Sequence, residues 1–232
     1  MTRGNVGPYE GQPGSSIAGV LLAGGQSRRM FADGPGGGDK GLLALDDRPM
    51  LQHVIDRLAP QVGTLAINAN GDPQRFAAFH LPVVADTVGG YVGPLAGVLA
   101  GLRWAKAAAP DATHIATAST DAPFLPADLV ARLAAALALA PQGERIALAR
   151  SDGHLHPVIG LWPIELADDL ERSLAAGVRK VLAWTDRHGT LGVDFGPQRI
   201  GGQDIDPFFN ANTPDDLELA RRLLDVEAAS HG

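Results

Sequence analysis

Asp121 stands at the end of THIATAST (113–120), a run of apolar and small polar residues, and is followed by APFLP. A carboxylate delivered this way suits magnesium, which takes one or two carboxylates together with substrate phosphates. A metal so held neutralises charge in phosphoryl or nucleotidyl transfer. The blander reading is a turn acid ahead of Pro123 and Pro126. Lys40 closes a glycine-rich stretch, FADGPGGGDKG (31–41). From there an ammonium can reach polyphosphate as a point charge, although a solvated loop lysine has the same letters. Asn68 and Asp86 belong to the ends of two further runs, TLAINAN (64–70) and LPVVAD (81–86). A carboxylate that accepts from a ring N–H and an exocyclic NH₂ selects guanine, but Asn and Asp also favour turns.

Near the start, VLLAGGQSRRM (20–30) stops an apolar run at Gly24 and Gly25 and then supplies Arg28 and Arg29. Bare backbone lets a ligand approach closely, and successive free N–H groups cradle phosphate. A tight turn with two solvated arginines accounts for the same residues. GxGxxG is absent, and the Walker A pattern fails because the chain reads GGGDKG. In DGHLHP, His154 and His156 share one face of a strand. Zinc would need a third ligand, and the chain has no cysteine, so a polar or substrate-facing role is expected. FFNANTPDD places Asn210 and Asn212 ahead of Pro214, where Asn212 or Thr213 can cap a helix. Ser27, Ser119 and Ser151 lack the GxSxG elbow of a serine hydrolase.

These residues need elements to carry them. IAGVLL (17–22) reads as a strand buried on both faces, with further strands at 64–70, 81–86, 113–120, 145–150, 156–162 and 190–195. Leu51, Val54, Ile55 and Leu58 follow helical spacing after Pro49, as do Leu95, Val98, Leu99 and Leu102 in 93–108. Helices are also expected over 127–140, 163–174, 178–186 and from Pro214 onward, where acids fill the first turn. Alternating strands and helices imply a Rossmann-like three-layer α/β sandwich on a mostly parallel sheet, with ligands beyond the carboxyl ends of the strands. One domain is expected over 17–228. MTRGNVGPYEGQPGSS (1–16) reads as a disordered tail with no signal-peptide core.

The chain has 232 residues and a net charge of −7, which disfavours nucleic acid as a partner. It has no cysteine, so disulfides and thiolate chemistry are excluded. The apolar stretch at 129–140 is too short for a membrane span and carries Arg132. A cytoplasmic protein is expected.

Taken in order, GVLLAGGQSRRM, DKGLLALDDRPMLQHV, NAN, VVAD, GPLAG, TDAPFLP, HPVIGLW, GVRKV, VDF and FNANTPDDL closely resemble the molybdenum cofactor guanylyltransferases, the MobA-type members of the nucleotidyltransferase fold, from about residue 17 to 225. The resemblance implies transfer of GMP from GTP to the phosphate of molybdopterin, with Mg²⁺, releasing pyrophosphate. It implies nucleotide contacts at Leu22, Ala23, Gly24, Gly25, Lys40, Asn68, Asp86 and Asp121. Asp121 would be the metal ligand, and Arg29, Lys40 and Asp121 the catalytic group. His156, Asn210 and Asn212 would lie on the pterin side. It also implies GTP and molybdopterin as substrates, and a molybdopterin-loading protein and apo-molybdoenzymes as partners. The link 31–39 is longer than the family's usual one. Two rivals share the fold, a cytidylyltransferase on the same pterin and a nucleotidyltransferase acting on a sugar phosphate or other small alcohol. LAGG at 22–25, where the cytidylyl branch reads LAAG, favours guanine. A third rival, from another class, is a non-catalytic nucleotide or cofactor carrier.

Overall fold

The computed structural model describes residues 15–23, 39–89 and 93–230. In chain order these form β1 (Ile17–Leu22), β2 (Ala44–Leu45), β3 (Arg48–Pro49), α1 (Met50–Leu58), β4 (Thr64–Asn68), β5 (Val83–Val84), α2 (Pro94–Ala108), β6 (His114–Ser119) and α3 (Leu129–Ala138). They continue with β7 (Ile146–Ser151), β8 (His154–Pro163), α4 (Ala167–Ala175), α5 (Val181–Thr185), β9 (Thr190–Asp194), β10 (Gln198–Ile200), β11 (Gln203–Ile205) and α6 (Pro214–Ser230).

Seven strands make the main sheet, in the order β5-β4-β1-β6-β8-β7-β9. All run parallel except β8, which is antiparallel to both β6 and β7. The expected mostly parallel three-layer sandwich is the observed architecture. Side chains alternate between faces, which explains the continuous apolar runs. On β6, Ile115 packs on the α2/α4 side, whereas Ala116 and Ala118 pack on the α1/α3 side. Both faces are covered, so the middles of the central strands are almost wholly apolar.

Helix α1 buries Leu51, Val54, Ile55 and Leu58 completely, the four positions its spacing selects. Each such burial stabilises by about 1.5–3 kcal/mol relative to exposure. Helix α2 is more enclosed than its spacing predicts, because Ala96, Gly97, Ala100 and Gly101 are buried besides the leucine face. Strand β5 is shorter than the apolar run 81–86 suggests, since only Val83 and Val84 pair with β4. Two hairpins, β2–β3 and β10–β11, are unforeseen by periodicity because each strand has only two or three residues.

A third apolar cluster lies apart from the sheet. Leu45, Met50, Phe124, Ile200, Ala211, Leu217, Ala220 and Leu223 draw the β2–β3 hairpin, the loop after β6 and α6 together. It brings residues from opposite ends of the chain to the carboxyl edge of β1 and β6.

Candidate active site

The carboxyl edge of the sheet carries two polar groups of different character. The first lies at the ends of β4 and β5. Asn68 is 3% exposed, and its amide nitrogen donates to Val84 O and to Asp86 Oδ1, both at 3.0 Å. Asn70 donates to the other oxygen, Asp86 Oδ2, at 2.7 Å, and its own carbonyl accepts from the Asp86 backbone N–H at 2.9 Å. Asp86 is thus gripped on both oxygens by asparagine amides. Asn68, one of the implied nucleotide contacts, is buried behind Asp86 with both amide protons engaged.

This packing explains a motif. A Cβ built on Gly97 would stand 2.3 Å from Asn68 Oδ1. The second glycine of GPLAG is therefore required by the close approach of α2 to the Asn68 side chain.

The second group lies at the end of β6. Lys40 Nζ sits 3.7 Å from Asp121 Oδ2, with the two side chains 17% and 20% exposed. It donates to Asn212 Oδ1, a contact between residues 172 apart in the chain. A Cβ on Gly41 would lie 2.9 Å from Thr120 Cβ, so the glycine of DKG seats the lysine turn against the end of β6. Asp121 is not a helix cap, since α3 begins only at Leu129. Among the described residues its carboxylate accepts no hydrogen bond. The backbone of the Asn210–Asn212 segment is tied to it, because Ala211 N–H donates to Asp121 O at 3.1 Å.

Helix α6 is capped by Thr213 rather than Asn212. Asp216 N–H donates to Thr213 Oγ1 at 3.2 Å, while Asn212 N–H and Thr213 N–H donate to the Asp216 carboxylate at 2.9 and 2.8 Å. The Asn212 side chain is thereby free to meet Lys40. Among the described residues, two buried polar atoms here have no hydrogen-bond partner, Ser119 Oγ and Asn210 Oδ1.

Arg75 joins the two groups. It donates to Asn70 O at 2.6 Å, to Asp72 O at 2.5 Å and to the carboxylate of Asp39, next to Lys40, at 2.5 Å. No sequence signal marks Arg75. Asn70 was legible only as the second asparagine of NAN.

Leu22 and Ala23 lie where β1 leaves the sheet, and Ala23 N–H donates to Asn68 O at 2.9 Å. Gly24, Gly25 and Arg29 lie outside the described residues, as do loop positions 31–38 and the N-terminal residues 1–14.

The donor set suits one kind of metal. Among the described residues no three His, Cys, Asp or Glu side chains cluster as a metal cage. One partly exposed carboxylate that accepts no hydrogen bond among the described residues fits a hard cation that takes its remaining ligands from water and substrate phosphates. It does not fit zinc, and the His154–His156 pair gains no third ligand.

His156 falls on the same edge. Strand β8 runs antiparallel to β6 with Thr117 opposite Gly160, so the amino-terminal half of β8 lies beside the carboxyl end of β6. Ser151 Oγ is 2.7 Å from His156 Nε2 and 3.0 Å from Asp206 Oδ2. The residue types match a hydrolase triad but the connectivity does not, because the hydroxyl lies between the imidazole and the acid and is only 5% exposed.

Known proteins resemble this chain in sequence and in fold. A family model described as a MobA-like NTP transferase domain matches residues 19–190. A molybdenum cofactor guanylyltransferase from Mesorhizobium japonicum is 51% identical over 209 residues, 90% of this chain and 96% of that protein. The same-named protein of a Bradyrhizobium species is 49% identical over 216 residues, 92% of this chain and 95% of its own. Among solved structures, the molybdopterin-guanine dinucleotide biosynthesis protein A of Archaeoglobus fulgidus superposes with a TM-score of 0.66 at 22% identity, covering 90% of this chain and 98% of its own. That likeness shows the fold. The sequence relatives and the domain match carry the further conclusion that this chain belongs to the molybdenum cofactor guanylyltransferases of the MobA-like NTP transferase family.

Proposed function

We propose that this chain, acting as a single catalytic unit over 17–228, transfers GMP from GTP to the phosphate of molybdopterin, with loss of pyrophosphate. The observation that carries the reading is the pairing along one sheet edge of a clamped carboxylate, Asp86, with a charged pair left open, Lys40 and Asp121.

Asp86 reads the base. An ionised carboxylate offers about four lone-pair sites, and the asparagines use one on each oxygen. The remaining pair accepts from guanine N1–H and its 2-amino group. Cytosine presents a single donor and two acceptors, which a carboxylate repels, so the clamp favours GTP over CTP. The Asn68 and Asn70 amides keep the carboxylate in the plane needed for that contact.

Lys40 meets the phosphates. Its ammonium leaves Asn212 for a phosphate oxygen and offsets charge that grows on the departing pyrophosphate. Asp121 would hold Mg²⁺, which when bound supplies further charge neutralisation across the phosphate oxygens. The protein's contribution is positioning and fixed charge, with no covalent intermediate.

The acceptor needs no general base. A phosphate monoester has its second pKa near 6, so it is already a dianion at neutral pH. Among the described residues no helix is long and apolar enough to cross a membrane.

Calorimetric titration with GTP, CTP and ATP, each with magnesium, tests the reading. Selective GTP binding that weakens in Asp86→Asn is expected. CTP preference, or equal binding of all three, overturns the guanine assignment.

A further inference from the structure

The order of the strands separates the two substrates. Asp86 follows β5, and Lys40 and Asp121 sit together at the end of β6, so a nucleoside triphosphate read by these residues spans the edge from β5 to β6. The flank left for the acceptor is the next strand, β8, which carries His156. This placement rests on the functional reading above. The ring of His156 is held from two directions. Its Nε2 is 2.7 Å from Ser151 Oγ, its face lies 4.6 Å from the Phe208 ring at a 50° tilt, and Phe208 is itself braced edge-on by Phe195 at 5.2 Å.

Counting protons sets the tautomer. The serine hydroxyl has one proton, and a carboxylate can only accept. Ser151 therefore donates to Asp206 Oδ2 at 3.0 Å, and the short contact to His156 requires that Nε2 carry the hydrogen. The second Asp206 oxygen, Oδ1, accepts from Phe208 N–H at 2.9 Å, which fixes the carboxylate's orientation. Nδ1 of His156 is left as an acceptor and has no partner among the described residues. Burial lowers the pKa of His156, against the pull of Asp206 and together with His154, which favours the neutral ring.

We propose that Ser151 and Asp206 are positioning residues that hold His156 in its Nε2–H form, so that Nδ1 accepts a hydrogen bond from an amide N–H or amino group of the acceptor's heterocycle. His156 is then a recognition residue. It takes no proton from the attacking phosphate.

The network makes an unusual prediction for Asp206→Asn. Phe208 N–H must still find a carbonyl oxygen, so the new amide turns its NH₂ toward Ser151. The hydroxyl then receives that hydrogen bond and sends its own proton to His156 Nε2, forcing the Nδ1–H tautomer. Long-range ¹H–¹⁵N correlation spectra of the imidazoles, assigned with a His156→Gln variant, report this directly.

Wild type is expected to show Nε2–H and Asp206→Asn to show Nδ1–H. The Michaelis constant for the pterin should rise about tenfold in the variant, as for loss of one buried hydrogen bond, with GTP affinity unchanged. Ser151→Ala serves where Asp206→Asn folds poorly, and should give mixed tautomers with the same kinetic split. An Nδ1–H wild type overturns the network. A tautomer flip with unchanged pterin kinetics overturns the acceptor role. A wild-type protein that binds GTP but turns over no pterin overturns the functional reading and the acceptor role together, while the tautomer spectra still judge the network.

Discussion

The two halves of the site are built on opposite principles. At the ends of β4 and β5, the polar groups that hold Asp86 are satisfied from within the protein. Asn68 is buried with its amide engaged, and Asn70 exchanges two hydrogen bonds with Asp86. At the end of β6, the groups are held near one another but left incomplete. Among the described residues, the Asp121 carboxylate has only a 3.7 Å ion pair, and Ser119 Oγ and Asn210 Oδ1 are buried without partners. A buried polar atom left unpaired costs about 1–3 kcal/mol, a cost that a bound phosphate or its metal can remove. The difference fits the two tasks proposed for these groups. Reading a base requires a rigid template, because recognition depends on aligned lone pairs. Stabilising a changing charge requires groups whose best partner arrives with the substrate.

The sharpest way to break this comparison is Asp121→Ala. Turnover should fall by at least about a thousandfold, as when a principal source of charge stabilisation is lost, with little change in melting temperature, since no internal hydrogen bond is removed. Turnover near wild type would take Asp121 out of the mechanism. Next, Asp86→Asn should cut the preference for GTP over ITP, which lacks the 2-amino group, by about tenfold, consistent with one charge-assisted hydrogen bond. Competition kinetics showing unchanged preference would remove Asp86 from base reading.

Two stability measurements then sharpen the contrast. Asn68→Ala should destabilise the fold by about 1–3 kcal/mol, because Val84 O and Asp86 lose a buried donor. Ser119→Ala, in the incomplete half, should leave stability unchanged or raise it by up to about 1 kcal/mol, because it deletes an unpaired hydroxyl. Denaturant melts of the two variants compare the regions directly. Equal losses in both would mean that the halves are not built differently.

Arg75 qualifies the separation. Its guanidinium spans from the Asn70 carbonyl to the Asp39 carboxylate, so the base clamp and the lysine turn share one strut.

The sequence by itself determined much. Continuous apolar runs ending in polar residues marked the buried parallel strands, because a strand covered on both faces has no solvent side to be polar. The placing of function after strands put Asp86 and Asp121 on one edge, and the order of motifs identified the family, whereas His156, at the start of a strand, reaches that edge only because β8 runs antiparallel to β6. Short strands escaped, since two or three residues show no period. Roles within the site escaped as well. Asn68 and Asn70 have the same side chain two positions apart, yet burial makes one a hidden brace and leaves the other at the surface. Only the tertiary structure brought Asn212 to Lys40, through an apolar cluster that folds the last helix onto the first hairpin. Only it placed Asp206 and Ser151 around His156. Those pairings depend on side-chain direction and on contacts between distant segments. Local pattern records neither, because the energy that decides them comes from burial in the assembled core.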